Sequence, residues 1–213
     1  MSEATDHIRI GQIPFSQELW RKGTHMGALV IPVGYYILGL SKSQMLVIMI
    51  PIALLMLLID ISRLRQWALW KKIANPIGGR MIRGHELAGD FTGATYILLS
   101  VCLTVAMYSK PVAIAALAFI VVGDTLAALI GRRFGRHRFG RKSVEGSLGC
   151  LAGTLLVALL VPDLTLAVAL FGAVVATVTE ALSTKIDDNI SVPIISGLAM
   201  TLLFQVLSSF SER

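Results

Sequence analysis

Val112-Ala113-Ile114-Ala115-Ala116-Leu117-Ala118-Phe119-Ile120-Val121-Val122-Gly123-Asp124-Thr125-Leu126-Ala127-Ala128-Leu129-Ile130 is an apolar run interrupted by a single carboxylate. A bilayer crossing needs about 20 residues, or somewhat fewer at the short end, so this run is predicted to span a membrane as a helix. A carboxylate at the centre of such a helix costs roughly 2.5–3.5 kcal/mol, and acids of this kind are usually paired, water-lined or functional. Ala127, Ala128 and Gly131 fall on the face of Asp124 at i+3, i+4 and i+7. That strip lacks bulk, so a ligand or a neighbouring helix can come close to the carboxylate.

The rest of the chain has the same character. Its 213 residues are 55% apolar and 15% charged, with a mean hydropathy of +0.74. A soluble domain would carry about 25% charge. We read an all-α, polytopic transmembrane bundle, residues 1–213 forming one domain. About seven spans are expected: Met26–Leu40, Met45–Ile61, Gly93–Tyr108, Val112–Ile130, Leu148–Val161, Leu164–Leu182 and Val192–Ser208. Pro111 and Pro193 are expected in first turns, where proline costs least. Residues 1–24 are polar and mixed in charge, so no cleavable signal peptide is expected. That segment, and Leu64 to Met81, read as interfacial stretches with Trp beside Lys and Arg. Cys102 and Cys150 lie inside apolar runs without ligand-like spacing and read as packing residues.

Positive charge in short loops marks the cytoplasmic side. With the N-terminus inside, sixteen of the nineteen Lys and Arg residues fall inside, and only Lys42, Lys110 and Arg213 fall outside. The formal charge of +6 is therefore largely a topology signal and calls for no nucleic acid. On this topology Asp60, Glu86, Asp90, Asp124, Glu180, Asp187 and Asp188 all gather at cytoplasmic ends.

Three further segments carry chemistry. Arg132 to Lys142 holds five arginines with Gly135 and Gly140 between them, and Arg forks with exposed backbone N–H groups suit phosphate oxygens. Gly135-x-x-x-x-Gly140-Arg141-Lys142-Ser143 is no true P-loop: it has one residue too many before the lysine and follows a membrane helix. Lys142-Ser143-Val144-Glu145-Gly146-Ser147 opens the fifth span. Ser143 or Ser147 can cap that helix, or its N-terminus can receive an anion. Glu180 to Asn189 closes the sixth span. Its carboxylates, hydroxyls and amide are hard oxygen donors suited to Mg²⁺. Arg83-Gly84-His85-Glu86 and Arg21-Lys22-x-x-His25 precede two spans and read as accessory elements.

Taken in order, these pieces resemble the CTP-dependent polyprenol and lipid kinases, the family of dolichol kinase, phytol kinase and the CTP-using diacylglycerol kinase of fungi. The carriers are Arg21-Lys22-x-x-His25, Asp60-x-x-Arg63, Arg83-x-x-Glu86 with Gly93-Ala94-Thr95-Tyr96, Gly123-Asp124-x-x-Ala127 with Gly131-Arg132-x-x-Gly135, Lys142-Ser143-x-Glu145-Gly146-Ser147, and Glu180-Ala181 with Asp187/Asp188-Asn189-x-x-x-Pro193. They cover nearly the whole chain. One departure is Asp60, where the family often has Glu. The family is distantly similar to the phosphatidate cytidylyltransferases.

The resemblance implies an integral membrane kinase, active at the cytoplasmic face, that moves the terminal phosphate of CTP to a lipid alcohol: polyprenol, dolichol, phytol, geranylgeraniol or diacylglycerol. Asp124 with Asp187 or Asp188 would hold Mg²⁺. Arg132, Lys142, Ser143, Gly146, Ser147 and Asn189 would hold the nucleotide. Glu145 or Glu180 would take the hydroxyl proton. Lys22, His25, Arg83 and Glu86 would be accessory. The alternatives are a cytidylyltransferase acting on a lipid phosphate and a transporter. A transporter would set its acids near the midplane within repeated halves, and no repeat is visible here.

Overall fold

The computed structural model describes residues 15–66, 90–140, 142–183 and 186–211. They form helices α1 (Phe15–Gly27), α2 (Val30–Ile37), α3 (Lys42–Leu64), α4 (Gly93–Met107) and α5 (Lys110–Phe134). A short hairpin of β1 (Arg138–Phe139) and β2 (Lys142–Ser143) follows, then α6 (Val144–Leu160), α7 (Leu166–Leu182) and α8 (Asp188–Ser211). Among these, α3, α5 and α8 are long and apolar enough to cross a membrane, and α4, α6 and α7 are shorter apolar helices.

The helix ends follow from local chemistry. Ser41 and Gln44 form a reciprocal capping box that starts α3. Pro111 sits in the first turn of α5, where no N–H is needed. Lys42 donates to the Ala106 carbonyl at 3.1 Å, and Lys110 donates to the Leu40 carbonyl at 2.8 Å. These two lysines join the end of α4 to the start of α3, and the start of α5 to the turn after α2. The other ends of α3, α4 and α5 therefore lie together at the opposite pole.

α5 is the central helix: 72% of its most apolar stretch is buried, against 28% for α3. Its small residues Ala113, Ala115 and Ala116 are fully enclosed. Leu54, Leu55 and Val47 on α3 face outward, as expected of a surface solvated by lipid. α5 packs most closely on α6, through glycines. A Cβ at Gly146 would stand 2.9 Å from the Ala127 carbonyl oxygen, and one at Gly149 would stand 2.6 Å from Ile130 Cδ1 and 3.1 Å from the Leu126 carbonyl oxygen. Small residues at such crossings let backbones approach, the usual basis of association between membrane helices. Gly149→Val is accordingly expected to cost about 1–3 kcal/mol by overpacking, read as a lower thermal unfolding midpoint in detergent.

The described residues are nearly all helical, as expected, and within the loop before α6 Arg138 pairs with Ser143 and Phe139 with Lys142 as a short antiparallel hairpin. Gly140, at φ +61°, supplies the left-handed turn residue it needs. The expected span Met26–Leu40 is not one helix. α1 ends at Gly27, a turn follows, and Pro32 cannot donate to the Ala28 carbonyl that would continue the helix. Pro193 lies inside α8, not in its first turn, because α8 begins at Asp188.

Candidate functional site

The acids singled out by their cost meet at one pole of the bundle. Carboxylate oxygens of Asp124 on α5, Glu180 on α7 and Asp188 on α8 lie within 4.8 Å of one another. α5 carries Asp124 two to three turns short of its C-terminal end, level with the last turn of α7 and the first turn of α8. Two lysines enter this cluster. Lys22, on the inner face of α1 and only 2% exposed, is bonded to Asp124 Oδ2. Lys142, on β2, donates to Glu180 Oε1 at 2.6 Å and to the Glu180 carbonyl, and stands 3.7 Å from Asp188 Oδ2. His25 Nε2 approaches Asp124 Oδ2 at 3.3 Å. Three carboxylates and two ammonium groups converge here, a setting for a cation and the phosphate oxygens bound to it.

The neighbouring residues take other positions. Asp187 accepts from the Asn189 backbone N–H at 2.9 Å and from Asn189 Nδ2 at 2.6 Å, so it starts α8 while Asp188 joins the cluster. Ser143 caps α6 by accepting from the Gly146 N–H at 3.1 Å. Gly146 sits at the α5–α6 crossing. Ser147 Oγ is buried without a hydrogen-bond partner. Arg132 lies in the last turn of α5. Arg83 and Glu86 lie outside the described residues.

Glu145 stands apart from the cluster. It precedes the apolar run of α6 and pairs with His137 on the hairpin, 2.7 Å from Nδ1 and 3.2 Å from the backbone nitrogen. Its own backbone N–H at the helix start and the His137 ring hold its carboxyl down at about 2. Its oxygens therefore anchor the hairpin; Arg138 on β1, Arg136 just before it and Arg133 in the last turn of α5 are exposed. At the same pole Asp60 belongs to a separate, fully bonded network with Arg63, Thr92 and Thr95.

Sequence reasoning undervalued Lys22 and His25. Their signal was the i, i+3 spacing on a helix that turns the exposed Trp20 to its other side. It missed Thr92, which only its bonds to Asp60 reveal.

An uncharacterised protein of Rickettsia prowazekii is 26% identical over 202 residues, spanning 91% of this chain and 98% of that one. The CTP-dependent diacylglycerol kinase of Saccharomyces cerevisiae is 24% identical over 222 residues, 91% of this chain and 76% of that one. A phytol kinase of Synechocystis is 38% identical over 87 residues, 36% of this chain and 37% of that one. No family model and no solved structure matches the chain. The chain is thus a relative of the CTP-dependent diacylglycerol kinases, the phytol kinases and farnesol kinase, and the resemblance read from its motifs holds.

Proposed function

We propose that the protein is a membrane kinase that transfers the terminal phosphate of CTP to the hydroxyl of a lipid alcohol. The observation that carries this reading is the Asp124, Glu180 and Asp188 cluster, met by Lys22 and Lys142, in a chain whose named relatives are lipid kinases. Phosphoryl transfer asks mainly for positioning and charge neutralisation, and this cluster supplies both.

The donor set fits a divalent cation. Octahedral Mg²⁺, with bonds of about 2.1 Å, sets oxygen ligands about 3–4 Å apart. The Asp124 and Asp188 carboxylates, which together with Glu180 offer oxygens within 4.8 Å of one another, would hold the ion, with Glu180 beside them to take a proton. When bound, the ion would neutralise triphosphate oxygens. Lys142 and the hairpin arginines with Arg132 would hold the nucleotide, and Lys22 would meet phosphate oxygens from the α1 side. The lipid oxygen attacks the γ-phosphorus, the bond to the β–γ bridging oxygen breaks, CDP leaves, and the proton passes to Glu180. Glu145 is the poorer base, because its carboxyl is held at about 2 and bound to His137.

The Lys and Arg asymmetry supports a cytoplasmic location for this pole and for the N-terminus, with the apolar helices completing the crossings. The lipid then needs no extraction, since its hydroxyl already lies at headgroup depth. The test is incubation of the purified protein with labelled CTP and a panel of lipid alcohols and phosphatidate. The expected products are a lipid monophosphate and CDP. Release of pyrophosphate with a CMP-bearing lipid would make the protein a cytidylyltransferase and overturn the reading.

A further inference from the structure

Phe139 is the apolar residue of the hairpin strands, and it is 40% exposed. A single exposed apolar side chain is ordinary and says nothing alone. Its register says more. β1 and β2 pair antiparallel, with Phe139 directly opposite Lys142 and Arg138 directly opposite Ser143. Directly opposed residues share one face of the ladder, with Cβ atoms about 4.5–5.5 Å apart. Phe139 and Lys142 therefore stand side by side on one face, and Arg138 and Ser143 occupy the other.

The two faces look in different directions. Ser143 turns to the α5–α6 crossing: it is buried, it caps α6 through the Gly146 N–H, and a Cβ at Gly131 would stand 3.1 Å from its Oγ. Lys142 turns to the acidic cluster, 2.6 Å from Glu180 Oε1 and 3.7 Å from Asp188 Oδ2. The ring of Phe139 thus leaves the hairpin on the side of the cluster, about one lysine side chain away from the carboxylates.

The strand that carries the ring is held in place. Glu145 Oε1 meets His137 Nδ1 at 2.7 Å, and the Val144 N–H donates to the His137 carbonyl at 2.9 Å. Gly140, at φ +61°, closes the turn. The neighbouring exposed ring, Phe134, is differently placed: the Arg133 guanidinium covers it, with Cζ 5.7 Å from the ring centroid. Among the described residues no ring or cation stands over Phe139. An open aromatic face beside a lysine that can meet phosphate oxygens suits a nucleotide, because every base has a π face that stacks on such a ring.

We propose that Phe139 is the platform on which the base of the nucleotide stacks, while Lys142 beside it holds the phosphates. The proposal rests on the kinase reading above and adds to it the residue that receives the base. In the nucleotide, ribose and the inner phosphates separate the base from the γ-phosphorus. In the protein, the stem of Lys142 separates Phe139 from the carboxylates. A nucleotide with its γ-phosphate at the cluster can therefore lie along this face of the hairpin with its base over the ring. Phe139 carries no charge and stands off from the reacting atoms, so it acts on binding of the nucleotide and not on transfer. Stacking accepts any base, so Phe139 supplies affinity and leaves the choice of base to other contacts.

The experiment uses the full-length purified protein, the variants Phe139→Ala and Phe139→Trp, and two probes: CTP, and inorganic tripolyphosphate, which has the phosphates and no base. Alanine at this exposed position is expected to leave the thermal midpoint unchanged. Phe139→Ala is expected to raise the KM for CTP about tenfold, with kcat and the KM for the lipid alcohol kept. Inhibition by tripolyphosphate, which competes with CTP, is expected to be equally strong in the wild type and in Phe139→Ala. Phe139→Trp, which keeps an aromatic face, is expected to restore the KM for CTP. The fluorescence it adds to that of the three native tryptophans is expected to be quenched by CTP and not by tripolyphosphate. An unchanged KM for CTP in Phe139→Ala, or added fluorescence indifferent to CTP, would overturn the platform. So would equal weakening of CTP and tripolyphosphate in Phe139→Ala, which would mean a displaced hairpin instead of a lost base contact. A wild type that phosphorylates no lipid alcohol overturns the kinase reading separately. The fluorescence titration then still decides the platform, quenching by CTP alone supporting it and indifference to CTP overturning it.

Discussion

Asp124→Asn is expected to lower lipid phosphorylation by about 1,000-fold, as measured by lipid monophosphate formed from labelled CTP. The exchange keeps the shape of the side chain and leaves an oxygen to accept from Lys22. It removes the charge that Lys22 and His25 converge on and one of three carboxylates in the cluster. The neutral amide is a weaker oxygen donor to a hard cation than the carboxylate it replaces. The variant also weakens a buried ion pair, since Lys22 is 2% exposed, and breaking such a pair from one side typically costs about 3–5 kcal/mol. A fall in activity could then be mistaken for a fall in folding. The double variant Lys22→Met/Asp124→Asn separates the two effects. Removing both charges relieves the burial cost, so its thermal midpoint should return toward that of the wild type. Its activity should not. Wild-type turnover in Asp124→Asn, or recovery of turnover along with stability in the double variant, would make Asp124 a structural acid.

The contrast between Asp124 and its neighbours explains what the sequence could disclose. Apolar runs fix where helices lie, so α3, α4, α6 and α7 begin and end within a few residues of expectation. The cost of an acid inside a run marked Asp124 and Glu180 one by one. Local reading fails where a feature depends on phase or on distant partners. Lys22 and Asp124 are 102 residues apart, and an amphipathic α1 with exposed Leu19 and Trp20 resembles an interfacial helix until its other face is seen to be buried. Asp187 and Asp188 are equivalent as letters. The start of α8 decides between them, because the residue just ahead of the helix accepts its free N–H groups and the next one turns toward Glu180. The hairpin has no alternation of apolar residues to announce it. It is fixed by a glycine turn and by Glu145 holding His137.

Asp60→Ala should be the most destabilising single change in the bundle, lowering the unfolding free energy by about 3–5 kcal/mol, read as a lower thermal midpoint in detergent. Asp60 is 1% exposed and accepts four hydrogen bonds: from Arg63 Nε at 3.1 Å, the Thr92 N–H at 2.7 Å, Thr92 Oγ1 at 2.9 Å and Thr95 Oγ1 at 2.7 Å. Arg63 in turn donates to the Asp90 carbonyl at 2.6 Å. The last turn of α3 and the first turn of α4 are thus tied through one carboxylate, at the pole where the cluster lies. Alanine takes a buried charge from Arg63 and strips acceptors from a backbone amide and two hydroxyls, each a costly loss in a buried setting. The same count argues against a catalytic role. Asp124 shares its oxygens with two basic side chains and two other acids, whereas the oxygens of Asp60 are already given to fixed donors. Asp60→Asn, which retains the acceptor oxygen, should therefore lose stability yet keep the wild-type KM for CTP and for the alcohol in the fraction that remains folded. A variant with an unchanged midpoint and a raised KM for either substrate would move Asp60 from the scaffold into the site.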